Sequence, residues 1–245
     1  MDFHCHLDLY PEPRDVYQEA ARRNEFTWLV TTSPRAFVAT SRALPPVPNI
    51  LITPGLHPEI AHDRALELPM LLEQMASVGA VGEVGLDGTL RHRSSLPTQK
   101  RVFDAVVSRS QDLGGRTLSI HSRQAVGEVL GTLLKYRRFG TAVMHWFTGN
   151  ASELRTAVAL DCWFSIGPAA FSSDSGRALA ARLPSHRIVP ESDGPFAELK
   201  GSPVPPWSHK ITATYLAESW ACSLEEASEI LTENSRQLLS RMGLG

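Results

Sequence analysis

The chain has 245 residues, 42% of them hydrophobic and 20% charged, a composition ordinary for a soluble globular protein with a large core and a length for one large domain or two small ones. Its formal net charge of −2 excludes holding nucleic acid by bulk basic charge, although bound cations would supply a local positive field. The cysteines, Cys5, Cys162 and Cys222, are odd in number and scattered, so they read as free, mostly buried thiols of a reducing compartment. The opening segment lacks a basic stretch followed by an apolar one, and no long apolar run occurs. A secretory signal and a membrane span are therefore not expected, and the cytoplasm is the expected location.

Short β-rich runs alternate with helical patterns along the chain. Strands are expected at 2–7, 27–32, 50–54, 79–84, 117–121, 141–146, 161–166 and 187–190, most of them preceded by Gly, Pro or polar turn residues. The clearest helix is 97–113, where Pro97 suits a first turn and Val102, Phe103, Val106 and Leu113 form an apolar stripe. Asn150 and Ser223 read as N-caps, with Glu153 and Glu226 three residues on. Further helices are expected at 208–220, 223–232 and 234–241, packed against the outside. Eight strands alternating with helices predict a (β/α)8 TIM barrel, as one domain over residues 1–245. A doubly wound open sheet is the alternative, but no GxGxxG or Walker loop follows any strand. No linker, repeat or low-complexity tract is visible.

His4 and His6 lie two apart in the first strand, so both imidazoles face one side and Cys5 the other. Alone, that pair reads equally as buried or exposed histidines. Glu83, His121, His145 and Asp193, however, each stand at the end of another apolar run. In a barrel those strand ends form one mouth, where the chemistry sits. A nitrogen and oxygen ligand set without cysteine suits Zn, Mn, Fe or Mg in an open catalytic site. Six ligands exceed what one ion needs, and two ions sharing a carboxylate fit better.

The segments DFHCHLD (2–8), GLHPEIA (55–61), VGEVGLD (81–87), IHSR (120–123), MHWFTG (144–149), ESDGPF (191–196) and NSRQLL (234–239) together resemble the TatD family of metal-dependent deoxyribonucleases. The resemblance implies a TIM barrel of the amidohydrolase-like type with two divalent ions, Mg, Mn or Zn. It implies that His4, His6 and Asp193 hold one ion, that His121 and His145 hold the other, and that Glu83 bridges them. Two cations ~3.5–4 Å apart activate water and stabilise the attacking and leaving oxygens. Asp193 is then the expected proton acceptor, and the substrate is DNA, as single strands or ends. His57 and Arg123 would contact the scissile phosphate; the alternatives are a His57 that orients a ligand and an Arg123 ion-paired at a strand end.

The departures from the family pattern concern substrate. The loop GLDGTLRHRSSLP (85–97) carries Arg91, His92 and Arg93 and reads either as a phosphate grip or as a solvated loop. ESDGP adds flexibility at Gly194, ELKGSPVPPW (198–207) matches loosely, and Trp207 either stacks on a base or packs. The opening HCHLDLYPEP is similar to TatD-like members of Qat-type antiphage cassettes, which implies defence partner proteins. Two rivals remain: an amidohydrolase of a small amide or ester, whose barrels often bridge metals with a modified lysine where this chain has Glu83, and a nucleic-acid- or partner-binding barrel active only in a complex. No GxSxG elbow is present. Asp87 reads as a strand-end cap, Asp8 as a hydrogen-bond partner of a ligand histidine or a turn residue, and His62, His186 and His209 as surface or packing residues.

Overall fold

Eight strands recur near the expected places: β1 (Asp2–Cys5), β2 (Thr27–Val30), β3 (Ile50–Thr53), β4 (Ala80–Gly85), β5 (Arg116–His121), β6 (Gly140–His145), β7 (Trp163–Ile166) and β8 (Ile188–Pro190). They are seen in a computed structural model that describes residues 1–244. The larger helices between them are α1 (Pro13–Arg23), α2 (Pro34–Ala43), α3 (Ala61–Arg64), α4 (Leu68–Gln74), α5 (Leu96–Asp112), α6 (Val126–Leu133), α7 (Ala151–Ala159) and α8 (Asp174–Ala180), followed by α9 (His209–Trp220) and α10 (Leu224–Arg241). No helix among the described residues is long and apolar enough to cross a membrane.

These eight strands pair in parallel with their neighbours, β1 to β3 in one ladder and β4 to β8 in another. Two seams join the ladders into a ring. At the first, Thr31 N–H donates to Gly82 O (3.0 Å), Glu83 N–H to Thr31 O (3.2 Å) and Gly82 N–H to Pro54 O (2.9 Å). At the second, Asp193 N–H donates to His4 O (3.0 Å) and His6 N–H to Gly194 O (2.9 Å). A closed ring of parallel strands followed by helices is a (β/α)8 barrel, and it excludes the open sheet.

Period-two alternation sorts the apolar side chains. Trp28, Val30, Ala80, Val143, Trp163 and Val189 form an interior cluster with Phe3, closed by Leu238 and Met242 at the end of α10. Their neighbours Val81, Leu118, Ile120, Met144, Phe164 and Ile188 turn outwards and pack under α5 and α6, against residues such as Phe103, Val106 and Leu130. Cys5 and Leu29 pack outwards against Tyr17 and Ala20 of α1.

Two strands break the alternation, and both carry site residues. Val81 and Val84 pair with Leu118 and Ile120, so β4 holds one residue more than its partner over that stretch. The same excess separates Asp2 and Cys5, which pair with Thr27 and Leu29. An extra residue re-aims the side chains around it. It lets Val81 and Val84 both face the helices while Glu83 turns inwards. In β1 it lets the consecutive residues Phe3 and His4 both face the interior.

The helices expected at 223–232 and 234–241 are one continuous helix, α10. Asn234, the first residue of the second expected helix, is buried inside α10 and donates through Nδ2 to Ser185 O (2.7 Å) and Ile188 O (2.8 Å). Ser235 Oγ donates back to Leu231 O (2.6 Å). Both side chains thus leave the helical backbone uninterrupted, and Asn234 ties α10 to the start of β8.

Gly55 stands at the first seam, where a Cβ would lie 2.6 Å from both Glu83 O and Gly82 C. Neither backbone atom has room to retreat without opening the barrel. Gly55→Ala is therefore expected to destabilise the fold by about 3 kcal/mol or more, measured as a fall in the urea midpoint. An unchanged midpoint would show that the seam tolerates separation.

Candidate metal centre

The inward-facing residues at the C-terminal ends of the strands converge on one carboxylate. Glu83 is buried and turns its oxygens to different partners. Oε2 lies 3.1 Å from His6 Nε2, 3.2 Å from His57 Nε2 and 3.4 Å from His4 Nε2, whereas Oε1 lies 2.9 Å from His121 Nδ1. Asp193, three residues past β8, adopts φ +50°, a left-handed conformation that Asp tolerates better than most residues. Its Oδ1 is 3.8 Å from His4 Nε2 and its Oδ2 is 3.8 Å from His145 Nε2.

The donor atoms form three overlapping groups, each within 4.8 Å: His4, His6 and Glu83; His4, His145 and Asp193; and His57, Glu83 and His121. The expected grouping puts His145 with His121, whose rings are 6.4 Å apart, and His145 also stacks on His4 at 3.7 Å. His57 joins the group around Glu83 and His121.

Buried side chains without an expected role orient the imidazoles. Glu191 Oε2 accepts from His145 Nδ1 (2.8 Å), which leaves Nε2 as the free nitrogen facing Asp193. Ser119 Oγ bonds His4 Nδ1 (2.7 Å), leaving Nε2 for the cavity. Asp87, expected as a strand-end cap, does accept from Thr89 N–H (2.9 Å), but its Oδ2 also bonds His121 Nε2 at 2.9 Å. Glu191 and Asp87 stand inside the segments ESDGPF and VGEVGLD, and Ser119 is two residues before His121 on the same strand face. Those positions were the available signals. Asp8 bonds Thr40 Oγ1 (2.8 Å) and no histidine. Asp2 accepts from the backbone N–H groups of His4 (3.1 Å) and Ser192 (3.0 Å), and so ties β1 to the loop that carries Asp193.

The donor set fits a divalent cation. It is nitrogen and oxygen without thiolate, as Mg, Mn, Fe or catalytic Zn requires. His4 Nε2 is buried with no hydrogen-bond partner, yet faces two carboxylates at 3.4 and 3.8 Å, spacings suited to shared coordination rather than to hydrogen bonds. Each imidazole held through its second nitrogen by Ser119, Glu191 or Asp87 has the supported geometry of a metal ligand. The site opens into a cavity of about 480 Å³ at the barrel mouth, lined also by Ser122, Arg123, Trp146 and Phe196.

A model of the family described as TatD related DNase matches residues 1–240. The chain belongs to that family. Human deoxyribonuclease TATDN3 is 29% identical over 271 aligned positions, which cover 99% of this chain and 95% of that protein. The Edwardsiella piscicida protein named 3'-5' ssDNA/RNA exonuclease TatD is 29% identical over 204 positions, 78% of this chain and 77% of its own length. Among solved structures, a TatD homologue from Escherichia coli K12 superposes with a TM-score of 0.82 at 21% identity, over 96% of this chain and 95% of that one. An uncharacterized amidohydrolase from Saccharomyces cerevisiae does so at 0.78 and 16%, over 96% and 98%. These two likenesses show the fold.

Within this TatD-type barrel, the segments that depart from the family pattern fall into place. His92 lies 3.4 Å from Glu59, while Arg91 and Arg93 are exposed, so the 85–97 loop is partly anchored. Gly194 is there for space: a Cβ would overlap Tyr10 Oη and Val204 O, and Tyr10 Oη donates to that same carbonyl (2.6 Å). Trp207 packs under the Arg23 guanidinium, 4.8 Å from its ring centre, and the neighbouring Pro206 O accepts from Asn24 at the end of α1. That is the barrel end opposite the mouth, so Trp207 does not reach the site. His62 and His186 are exposed, His209 is half-buried, and Cys5, Cys162 and Cys222 are free thiols.

Electrostatics divides the groups. Burial alone would push Glu83 up, but His57 and His4 beside it and the bond from His121 outweigh burial and hold it well below the usual carboxylate range. Burial and then His145 drive His4 well down, which keeps it neutral with a free lone pair. Burial opposes protonation of His121 and His145, yet their carboxylate partners, chiefly Asp87 and Glu191, raise them to about 9 and about 10. Asp193 is pushed up by burial to about 6.

A carboxyl raised in the folded state binds its proton more tightly there, so stability falls as pH rises from 3.8 to about 6 and stays lower above. Asp193→Asn removes that loss. In chelator-treated protein at pH 7.5 the variant is expected to be more stable to urea than the wild type, by up to about 3 kcal/mol, with a flatter stability profile between pH 4 and 6. Equal profiles would show that ionised Asp193 is fully compensated.

Proposed function

We propose that this chain is a divalent-metal-dependent phosphodiesterase that hydrolyses DNA from single-stranded ends. The observation that carries the reading is Glu83, with Oε2 towards His4 and His6 and Oε1 towards His121. A carboxylate presenting each oxygen to a different group of imidazoles is built to be shared by two cations. His4, His6 and Asp193 would hold one ion and His121 and His145 the other, with Glu83 shared between them. When bound, the ions supply Lewis acidity that lowers the pKa of water and neutralises charge on the phosphate.

The protein's own groups do the rest. Asp193 is raised by burial to about 6, close enough to neutrality to accept a proton from water at the rim of the group. His57 Nδ1 accepts from Glu59 N–H (3.2 Å), so its Nε2 carries the hydrogen and is a donor into the site. That makes it a partner for a phosphate oxygen rather than a ligand. Arg123 is exposed at the cavity lip and brings a guanidinium able to bind phosphate in a bidentate way. Ser122 Oγ, buried and without a partner, lines the same cavity. No lysine lines it among the described residues, which disfavours the lysine-bridged amidohydrolases. The names of the relatives, a deoxyribonuclease and a 3'-5' ssDNA/RNA exonuclease, support the substrate class. An antiphage role with partner proteins extends this reading on the strength of the HCHLDLYPEP opening.

End-labelled single-stranded DNA should release mononucleotides in Mg or Mn. Glu83→Gln and chelation should each lower the rate by about 10²-fold or more, and metal should restore only the wild type. Glu191→Ala, which removes the acceptor at His145 Nδ1, should weaken metal binding by about 10–100-fold in a calorimetric titration. Metal-independent cleavage, or none by metal-loaded wild type, would overturn the proposal.

A further inference from the structure

Phe196 is the large apolar residue of the site that burial does not explain. It is 62% exposed at the lip of the cavity, three residues after Asp193, while most aromatics of the chain are packed in the core. Its ring meets His6 edge to face, with centroids 5.1 Å apart. His6 in turn lies 3.1 Å from Glu83, so the aromatic face stands one side chain away from the cluster. A second aromatic, Trp146, lines the same cavity from the end of β6, on a backbone at φ +39°. A bulky residue in that region of backbone space is uncommon, and such residues gather at binding sites.

The charges around the mouth make the aromatic faces matter. Among the described residues Arg123 is the single Arg or Lys side chain lining the cavity, Glu59 lines it as well, and the chain is net negative. Arg91 and Arg93, exposed on the loop beside Glu59, do not line the cavity, so within it few phosphates can be gripped beyond the one at the metal cluster. What remains for holding a nucleic acid is stacking, which every base offers through its π face. We propose that Phe196 is the platform on which the base of the terminal nucleotide stacks, so that the reactive phosphate is placed by one stacked base rather than by a long basic track. This rests on the nuclease reading above and adds a specificity-determining residue: it favours unpaired ends, because a paired base must first give up its pairing and stacking before it can turn onto Phe196.

The test compares tetranucleotides with a normal or an abasic residue at either end, measured both as cleavage in Mn and as binding by fluorescence anisotropy with a phosphorothioate backbone. Wild type should prefer the normal residue at one end by about 10-fold in KM. Phe196→Ala should bring that ratio to about one, and Phe196→Tyr should restore it. Because Phe196 is exposed, truncation leaves the core intact, and manganese titration of the variant should match wild type. An active Phe196→Ala enzyme that keeps the preference overturns the assignment of Phe196 alone. A metal-loaded wild type that neither binds nor cleaves any of these oligonucleotides overturns the nuclease reading and this inference together.

Discussion

One buried carboxylate organises this molecule. An isolated carboxylate in a protein interior costs several kcal/mol even after relaxation, and Glu83 sits almost wholly out of solvent. It is tolerated because four imidazoles from the ends of β1, β3 and β5 surround it. The dependence is mutual, since each of those imidazoles is buried or nearly so and turns one nitrogen towards Glu83. Remove the carboxylate and several strand ends lose the group they converge on.

The barrel is shaped to make that convergence possible. Both bulges lie in strands that carry cluster residues, and both seams of the ring pass through them: Glu83 N–H bonds Thr31, and His4 O accepts from Asp193. Backbone closure and site assembly are thus one structural event. Around the cluster, Ser119, Asp87, Glu191 and Asp2 hold rings and backbone in register, so the donor atoms are aimed before any ligand arrives. The cavity above them is sparse in positive charge and contributes aromatic faces instead, which suits a substrate held by its last nucleotide.

Much of this was legible in the sequence. Eight apolar runs spaced by helical patterns have few architectures that bury them all, and the polar residue at each run's end marks a shared mouth because barrel strands are parallel. The capping boxes at Asn150 and Ser223 form as their spacing predicts, since caps depend on residues only three apart. The break expected between 232 and 234 is absent because Asn234 finds its carbonyl partners 46 and 49 residues away, which local pattern does not show. Gly194 was misread as a flexible point because the tyrosine that needs the space comes from the other end of the chain.

The sequence by itself determined which residues would meet, because hydrophobic periodicity places side chains on faces and parallel strands bring their ends to one rim. Only the tertiary structure decided how they meet. Whether Glu83 points in or out depends on a single extra residue in β4, and alternation alone would have sent it outwards with Val81. The pairing of His145 with His4, the hydrogen on His57 Nε2, and the roles of Asp87 and Glu191 all depend on distances of about 3 Å between residues far apart in the chain. Local pattern carries no information at that scale, since hydrogen bonding and charge are resolved only when the chain has closed on itself.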